Sequence, residues 1–379
     1  MSAGIYAEIN LLCVCILFIF MYKLQTNPYQ KKGQDVFIFN LLSQMIFFIS
    51  DCLWSLSDGG TIPSNIVFNY TVNIVYFSIS GIAAYSWLLY CAKLQDSKIY
   101  HNRTILGLLM IPAIVLTIMS INSPLRKWIF YIDDLGKYHR GDFYIVQLIV
   151  VNGYILMASL LSWKNAFSQE DRLKKSLYNT LGNYAIFAIL AISLQLFLPG
   201  YPFAAIGVTI PLFLAFLKLD ECQAMTDQLT GLHNDTWLHV YFENCQKHYH
   251  EGTYSPSTRY YLILVRIDNF SEITKNNGSK AVNSFILAIS NKLSALLLTF
   301  RKHSTISHLR YSENEFAIFV STENDSFTGE LVSKIKNELS NKDNVTQHFD
   351  FSISAGYTEI DMEVPVIRKH LNNAKNNLA

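Results

Sequence analysis

The sequence predicts two domains of different class. An all-α membrane bundle of seven helices covers residues 1–219, and an α/β domain with a mostly antiparallel sheet covers residues 226–379. Three observations predict this. Apolar residues make up 51% of the chain and charged residues only 16%, which is high for a soluble protein. The charge is split: residues 1–219 hold 15 Lys and Arg against 10 Asp and Glu, whereas residues 220–379 hold 15 against 19. Finally, apolar runs long enough to cross a bilayer, about 20 residues each, are confined to the first part.

Those runs fall at roughly 5–23, 36–54, 66–91, 104–121, 143–163, 178–198 and 201–217. The first lacks a basic leading region and a small-residue cleavage site, so it is expected to persist as a helix and not to be removed as a signal peptide. Loop charge sets the orientation. Lys23, Lys31 and Lys32, then Lys93, Lys98 and Arg103, then Lys164, Arg172, Lys174 and Lys175 fall in alternate loops. The opposite loops hold Arg126, Lys127, Lys137 and Arg140, offset by Asp133, Asp134 and Asp142. Basic loops stay on the cytoplasmic side. The N-terminus is therefore expected outside and the C-terminal domain in the cytoplasm of a multi-pass cell-membrane protein, with membrane lipid as its surroundings.

Glu8 and Asp51 stand out as carboxylates within the spans, near their outer ends. Such groups are costly in a bilayer and often functional, so a site for an extracellular cationic or polar ligand is one reading. The other places both at headgroup depth, hydrated or capping a turn. Tyr70, Tyr76, Trp87, Trp128 and Trp163 read as interfacial anchors or core. The spans show neither a Lys placed for a retinal Schiff base nor a His pair suited to a haem. Four of the six cysteines (Cys13, Cys15, Cys52 and Cys91) lie in apolar runs and two (Cys222 and Cys245) in the soluble part, which reads as reduced, packed thiols.

Only Lys218 to Met225 separates the last span from the soluble part, so a shift of that span would reach the domain without a flexible linker to absorb it. Asp227 is suited to cap the turn that follows. Tyr260–Ile267 is a continuous apolar run rich in strand formers and reads as a buried central strand. Residues 280–299 show helical spacing through Val282, Phe285, Ile286, Ile289, Leu293, Leu296 and Leu297. Ile306–Leu309 and Phe316–Val320 flank a polar turn and read as a hairpin. A helix is expected at about 328–340, a strand at 349–357 and a helix at about 364–375. The order βαββαβα resembles the palm of nucleotide cyclases and polymerases. The acidic balance of this part argues against nucleic-acid binding.

Two segments carry a sharper resemblance. Asp227-Gln228-Leu229-Thr230-Gly231-Leu232-His233-Asn234 and Leu309-Arg310-Tyr311-Ser312-Glu313-Asn314-Glu315-Phe316 resemble the two signposts of a GGDEF domain, the module that makes cyclic di-GMP. Those signposts are an opening D-x-L-T-G-L-x-N-R and a hairpin R-Y-G-G-D-E-F; Asp235 stands where the opening Arg is usual. The resemblance covers about residues 226–379 and implies the palm-like fold.

It also shows what differs. Joining two GTP molecules needs divalent metal held by carboxylates on adjacent strands, and a glycine hairpin that lets backbone approach the triphosphate. Ser312, Glu313 and Asn314 stand where the family has Gly-Gly-Asp, and only Glu315 and Phe316 match. The family's first strand ends D-I-D-x-F-K, and its first Asp binds metal. Here Arg266-Ile267-Asp268-Asn269-Phe270-Ser271 puts a cation at that position. Thr274 and Asn283 occupy the guanine-facing positions, where an amide pairs less well with the guanine edge than a carboxylate does. The R-x-x-D product-inhibition motif would fall on His303-Ser304-Thr305-Ile306 and is absent. In the closing motif Ala374-Lys375 matches.

The resemblance thus implies a membrane signalling protein whose cyclase-like domain keeps no intact catalytic set and takes no cofactor. It would act by contact, as a homodimer or with an active cyclase. Weak nucleotide binding through Asp268, Thr274, Asn283 and Lys375 stays open, as does an active but divergent cyclase or GTP-binding sensor using Mg²⁺. A membrane carrier with a regulatory tail is disfavoured, because paired polar spans or repeat halves are not evident. Cys245, His248 and His250, with His233 and His239 upstream, lack a well-spaced fourth ligand and read as a solvated helix end, not a metal site.

Overall fold

The computed structural model describes residues 2–26, 32–63, 65–134, 136–169, 171–198, 200–252, 257–300, 304–324, 326–342 and 345–378. Lys31 and His303, used above, lie outside the described residues. The chain divides into two compact units, Met1–Asp220 and Glu221–Ala379.

The first unit is helical. It contains α1 (Ala3–Thr26), α2 (Gln34–Asp58), α3 (Ile66–Leu94), the single turn α4 (Lys98–His101), α5 (Arg103–Arg126), α6 (Tyr144–Ser168), α7 (Arg172–Gly182), α8 (Tyr184–Phe197) and α9 (Phe203–Ala224). Each expected span falls on one of these helices, with one difference. The sixth is broken at Asn183 into an amphipathic α7 and an apolar α8. The long loop before α6 also forms an unexpected hairpin, β1 (Phe130–Ile132) with β2 (Tyr138–Arg140), antiparallel in the register Phe130 to Arg140. Phe130 is fully buried beneath Phe77 and Tyr138.

Polar side chains in this unit turn inward and join helices. Asn40 on α2 donates to Ala83 O and Ser86 Oγ on α3, both at 2.9 Å. Gln95, just past α3, donates to Ser162 Oγ on α6 at 2.8 Å and accepts from Asn165 at 2.8 Å. Large apolar side chains instead face outward, among them Leu12, Leu108, Ile118, Ile149 and Phe197. That inverted pattern suits lipid surroundings, where interhelical hydrogen bonds join apolar-coated helices. Trp87 is buried core at 1% exposure.

Among the described residues, eight helical stretches are long and apolar enough to cross a membrane by length and composition. Six of these stretches lie in the first unit, and a seventh, α9, begins there and ends at Ala224. The eighth, α11 (Phe270–Phe300), belongs to the second unit, where its apolar residues form core.

The second unit opens with α10 (Asp235–His250), capped by Asn234 Oδ1, which accepts from Trp237 N at 3.1 Å. A four-stranded sheet follows: β3 (Arg259–Ile267), β4 (Thr305–Arg310), β5 (Glu315–Thr322) and β6 (Ile353–Glu359), in the order β4-β5-β3-β6 and antiparallel throughout. α12 (Phe327–Ser340) and α13 (Ile367–Asn376) complete the unit. α11, Val265, Ile318 and Leu331 of α12 share one core. α11 is really two helices, divided at Gly278, whose φ of 73° is open to glycine and costly for other residues. The expected helix at 280–299 is its second half. The last strand begins at Ile353 and not at 349, because a 3₁₀ turn, Thr346–His348, precedes it.

Candidate functional site

The hairpin between β4 and β5 carries the second motif. Its turn is closed by Tyr311 N and Ser312 N, which donate to Glu315 O at 2.8 and 3.1 Å. None of Ser312, Glu313 or Asn314 has a positive φ, so this turn forms without glycine. Glu313 is exposed at the tip, and Phe316 is fully buried in the core. Phe316 is thus a packing residue.

Beside the tip, four charges share one patch of sheet. β3 and β5 set Arg266 opposite Glu315, and β6 sets Ser354 opposite Arg266. Arg266 Nε donates to Asp268 Oδ1 at 3.0 Å. Asp268 Oδ2 also accepts from Ser354 Oγ at 2.6 Å and Ser352 Oγ at 3.3 Å. From α13, Lys375 Nζ reaches Glu315 Oε2 at 3.0 Å, and Ser312 Oγ donates to the same oxygen at 3.3 Å. Asn314 turns away from these groups and donates to Ile267 O at 3.1 Å. Two carboxylates and two cations therefore satisfy one another, and their formal charges sum to zero.

Asp268 and Lys375 are thus brought into one cluster. Thr274 and Asn283 lie exposed on α11, on either side of Gly278, and Thr274 Oγ1 donates back to Phe270 O at 2.9 Å. Among the described residues, no three His, Cys, Asp or Glu side chains meet where a metal ion could be held. His233 stacks on Trp237 at 4.1 Å, His248 faces Glu251 at 3.4 Å, and Cys245 is buried, so the cysteine–histidine cluster is dispersed. All six cysteines are free thiols.

The two motifs, 83 residues apart, meet in an ion pair that sequence reading did not anticipate. Arg310 Nη1 lies 3.3 Å from Asp227 Oδ2, and Arg310 Nη2 donates to Glu313 O at 3.0 Å. Asp227 Oδ1 also accepts from Thr230 N and Oγ1 at 2.8 and 2.6 Å, the cap expected of it. One carboxylate thus shapes the opening turn and anchors the hairpin base, where Arg310 N also donates to His233 O at 2.9 Å. Residues 224–379 match the family model described as Diguanylate cyclase, GGDEF domain.

This part of the chain is a GGDEF domain. Among solved structures the chain is similar to the GGDEF domain of DgcB from Caulobacter crescentus, in complex with c-di-GMP. That match has 20% identity, covers 40% of this chain and 86% of the other, and has a TM-score of 0.34. A DgcB structure that adds its coiled coil gives 18% identity, 51% and 91% coverage and a TM-score of 0.38. The diguanylate cyclase SiaD, in complex with its activator SiaC from Pseudomonas aeruginosa, gives 16%, 58% and 85%, and 0.36. The assignment rests on the family match and not on these remote likenesses. No curated protein matches the chain in a sequence comparison. The domain family matched over residues 224–379 is one of cyclic di-GMP signalling.

The other two candidates lie in the first unit and are not brought together. Glu8 is on an exposed face of α1. Asp51 does not sit hydrated at a helix end: it is 4% exposed and accepts from Tyr6 OH at 2.8 Å and Asn10 Nδ2 at 3.0 Å. The reason is local to the bundle, because α1 presents two neutral donors against α2 that satisfy the carboxylate indoors.

Proposed function

We propose that this is a multi-pass membrane signalling protein with seven spans, an outer N-terminus and a cytoplasmic GGDEF domain that does not make cyclic di-GMP. The observation that carries the reading is the self-neutralised cluster. Arg266 occupies Asp268 and Lys375 occupies Glu315, each at 3.0 Å. Asn314 spends its amide on the Ile267 carbonyl. A divalent ion entering here would meet one retained acidic residue at the hairpin, already paired, and a guanidinium close by. These residues do not fit Mg²⁺, and no catalytic step is derived through it.

The domain would then work by contact, pairing with itself or with an active cyclase. The inverted polarity of the first unit supports membrane insertion, and the alternating loop charge supports the orientation.

The test is turnover by the full-length protein in nanodiscs with GTP and Mg²⁺ or Mn²⁺. No cyclic di-GMP is expected. Product formation that disappears in Glu315→Gln would overturn the reading in favour of a divergent cyclase. A second reading, metal-free nucleotide binding, is favoured by the exposure of Arg266 and Lys375 side chains, 40% and 38%. It predicts GTP binding that persists in a chelator and weakens in Arg266→Ala.

A further inference from the structure

Between the helices of the first unit lies a cavity of about 160 Å³. An engineered apolar cavity of about 150 Å³ accepts benzene, so the space suits one ring-sized body. Its lining has two chemistries. Phe47, Tyr76, Phe77 and Tyr144 supply an aromatic wall, with Phe47 stacked on Tyr76 at 4.7 Å between centroids. Gln44, Gln147, Asn152 and Gln195 supply amides. Tyr76 is therefore a cavity residue and not an interfacial anchor.

Two features point to what would enter. Gln147 is only 6% exposed and donates Nε2 to Ser80 Oγ, yet its Oε1 is buried with no hydrogen-bond partner. A buried acceptor left unmet is costly, and a ligand that donates to it removes the cost. Arg140 on β2 is the one formally charged side chain among the described residues that line the cavity. Its guanidinium centre lies 4.8 Å from the Tyr144 ring centroid. Tyr144 and Gln147 are three residues apart on α6, so they share a face at a rise of roughly 5 Å. Positive charge and unmet acceptor therefore line one small space.

We propose that this cavity binds a ring-sized organic monoanion, with a carboxylate directed at Arg140 and a hydroxyl or similar donor directed at Gln147. The aromatic wall takes the apolar body. The guanidinium takes the carboxylate, for which its planar fork is suited. A cation would meet Arg140 with no lining carboxylate to offset it. The inference extends the proposed membrane-signalling function and rests on that reading for its use, while binding itself is measured separately.

The test uses the full-length protein in nanodiscs, titrated calorimetrically with 4-hydroxybenzoate, benzoate, benzamide and benzylamine. Binding should be tightest for 4-hydroxybenzoate, weaker for benzoate, weaker still for benzamide, and undetectable for benzylamine. Arg140→Gln should weaken both acids by about tenfold or more and leave benzamide unchanged. Arg140→Lys should retain the preference for acids. Gln147→Leu should erase the difference between the two acids while keeping both above benzamide. Saturable benzylamine binding as tight as benzoate, acid binding indifferent to Arg140→Gln, or no saturable binding of either acid would each overturn the proposal. Topology reporters after Leu378 and in the loop at 59–63 test the membrane reading independently, so its failure and that of the ligand are distinguishable.

Discussion

In the first unit Asn40, Gln44, Asp51 and Gln147 are enclosed, while Leu108, Ile118 and Phe197 face outward. In the second, Leu262, Ile263 and Phe316 are enclosed, and Lys and Glu side chains such as Lys334 and Glu330 pair at the surface. Carboxylates follow the same division. Asp51 is held by two neutral donors, whereas Asp268 and Glu315 are held by cations. The contrast teaches that apolar length by itself does not define a span. α11 meets the length and composition of one, yet it spends Phe285, Ile289, Leu293 and Leu297 on the sheet. What separates the two environments is where the polar residues go.

The buried sheet should be the most sensitive to charge. Ile263→Asp puts an unpaired carboxyl in the middle of the sheet and should cost more than about 4 kcal/mol, abolishing the second unit's cooperative unfolding transition. Ile118→Asp, on the outward face of α5, should leave bundle packing alone but cost about 2.5–3.5 kcal/mol of membrane insertion, read from the inserted fraction in a translocation assay. If Ile118→Asp inserted as well as the parent, the outward apolar face would not be a lipid face.

A smaller loss is expected at the ion pair between the two motifs. The Arg310 and Asp227 side chains are 12% and 22% exposed. Arg310→Ala should destabilise that unit by about 3 kcal/mol, the low end for breaking an enclosed pair. Asp227→Asn keeps an oxygen for Thr230 and should cost about half as much. Chemical denaturation followed by Trp237 fluorescence would measure both, and equal costs would show that the charge itself contributes little.

The smallest effect is a pH dependence. His370 on α13 is 3% exposed. Burial holds its imidazole below the ordinary value of 6.5, against an opposing contribution from the Asp361 backbone. Since the unfolded state takes the proton first, the second unit should lose stability as pH falls through about 6.5 toward the lower folded value. His370→Leu should flatten that part of the melting-temperature profile between about pH 7 and about pH 5. An unchanged profile would mean that His370 is protonated without penalty.

Much of the fold was legible because its signals are local. The run Tyr260–Ile267 announces a central strand by continuous apolarity, and the seven long apolar stretches announce helices by length alone. Misreadings have local causes too. Phe349, Phe351 and Ile353 alternate like a strand, but the first two are core residues of the approach to β6. Gly278 interrupts the helical spacing that would have revealed the first half of α11. α10 carried a readable signal in the Asn234 cap and the spacing of Trp237, Leu238, Phe242 and Cys245. The candidate site was half legible: Arg266 near the end of β3 and Asp268 in the turn just after it are close in sequence, and their contact is local.

Spacing and apolarity along the chain settle which segments are apolar enough to be spans and which form the sheet. Packing alone closes Lys375 on Glu315 across 60 residues, joins the two motifs through Arg310 and Asp227, and brings Asp51 to Tyr6 and Asn10 inside the bundle. The physical reason is range. Helix and strand formation answer to spacing over a few residues, whereas a side chain's partner depends on how elements distant in sequence pack, and on which polar groups that packing leaves to satisfy one another.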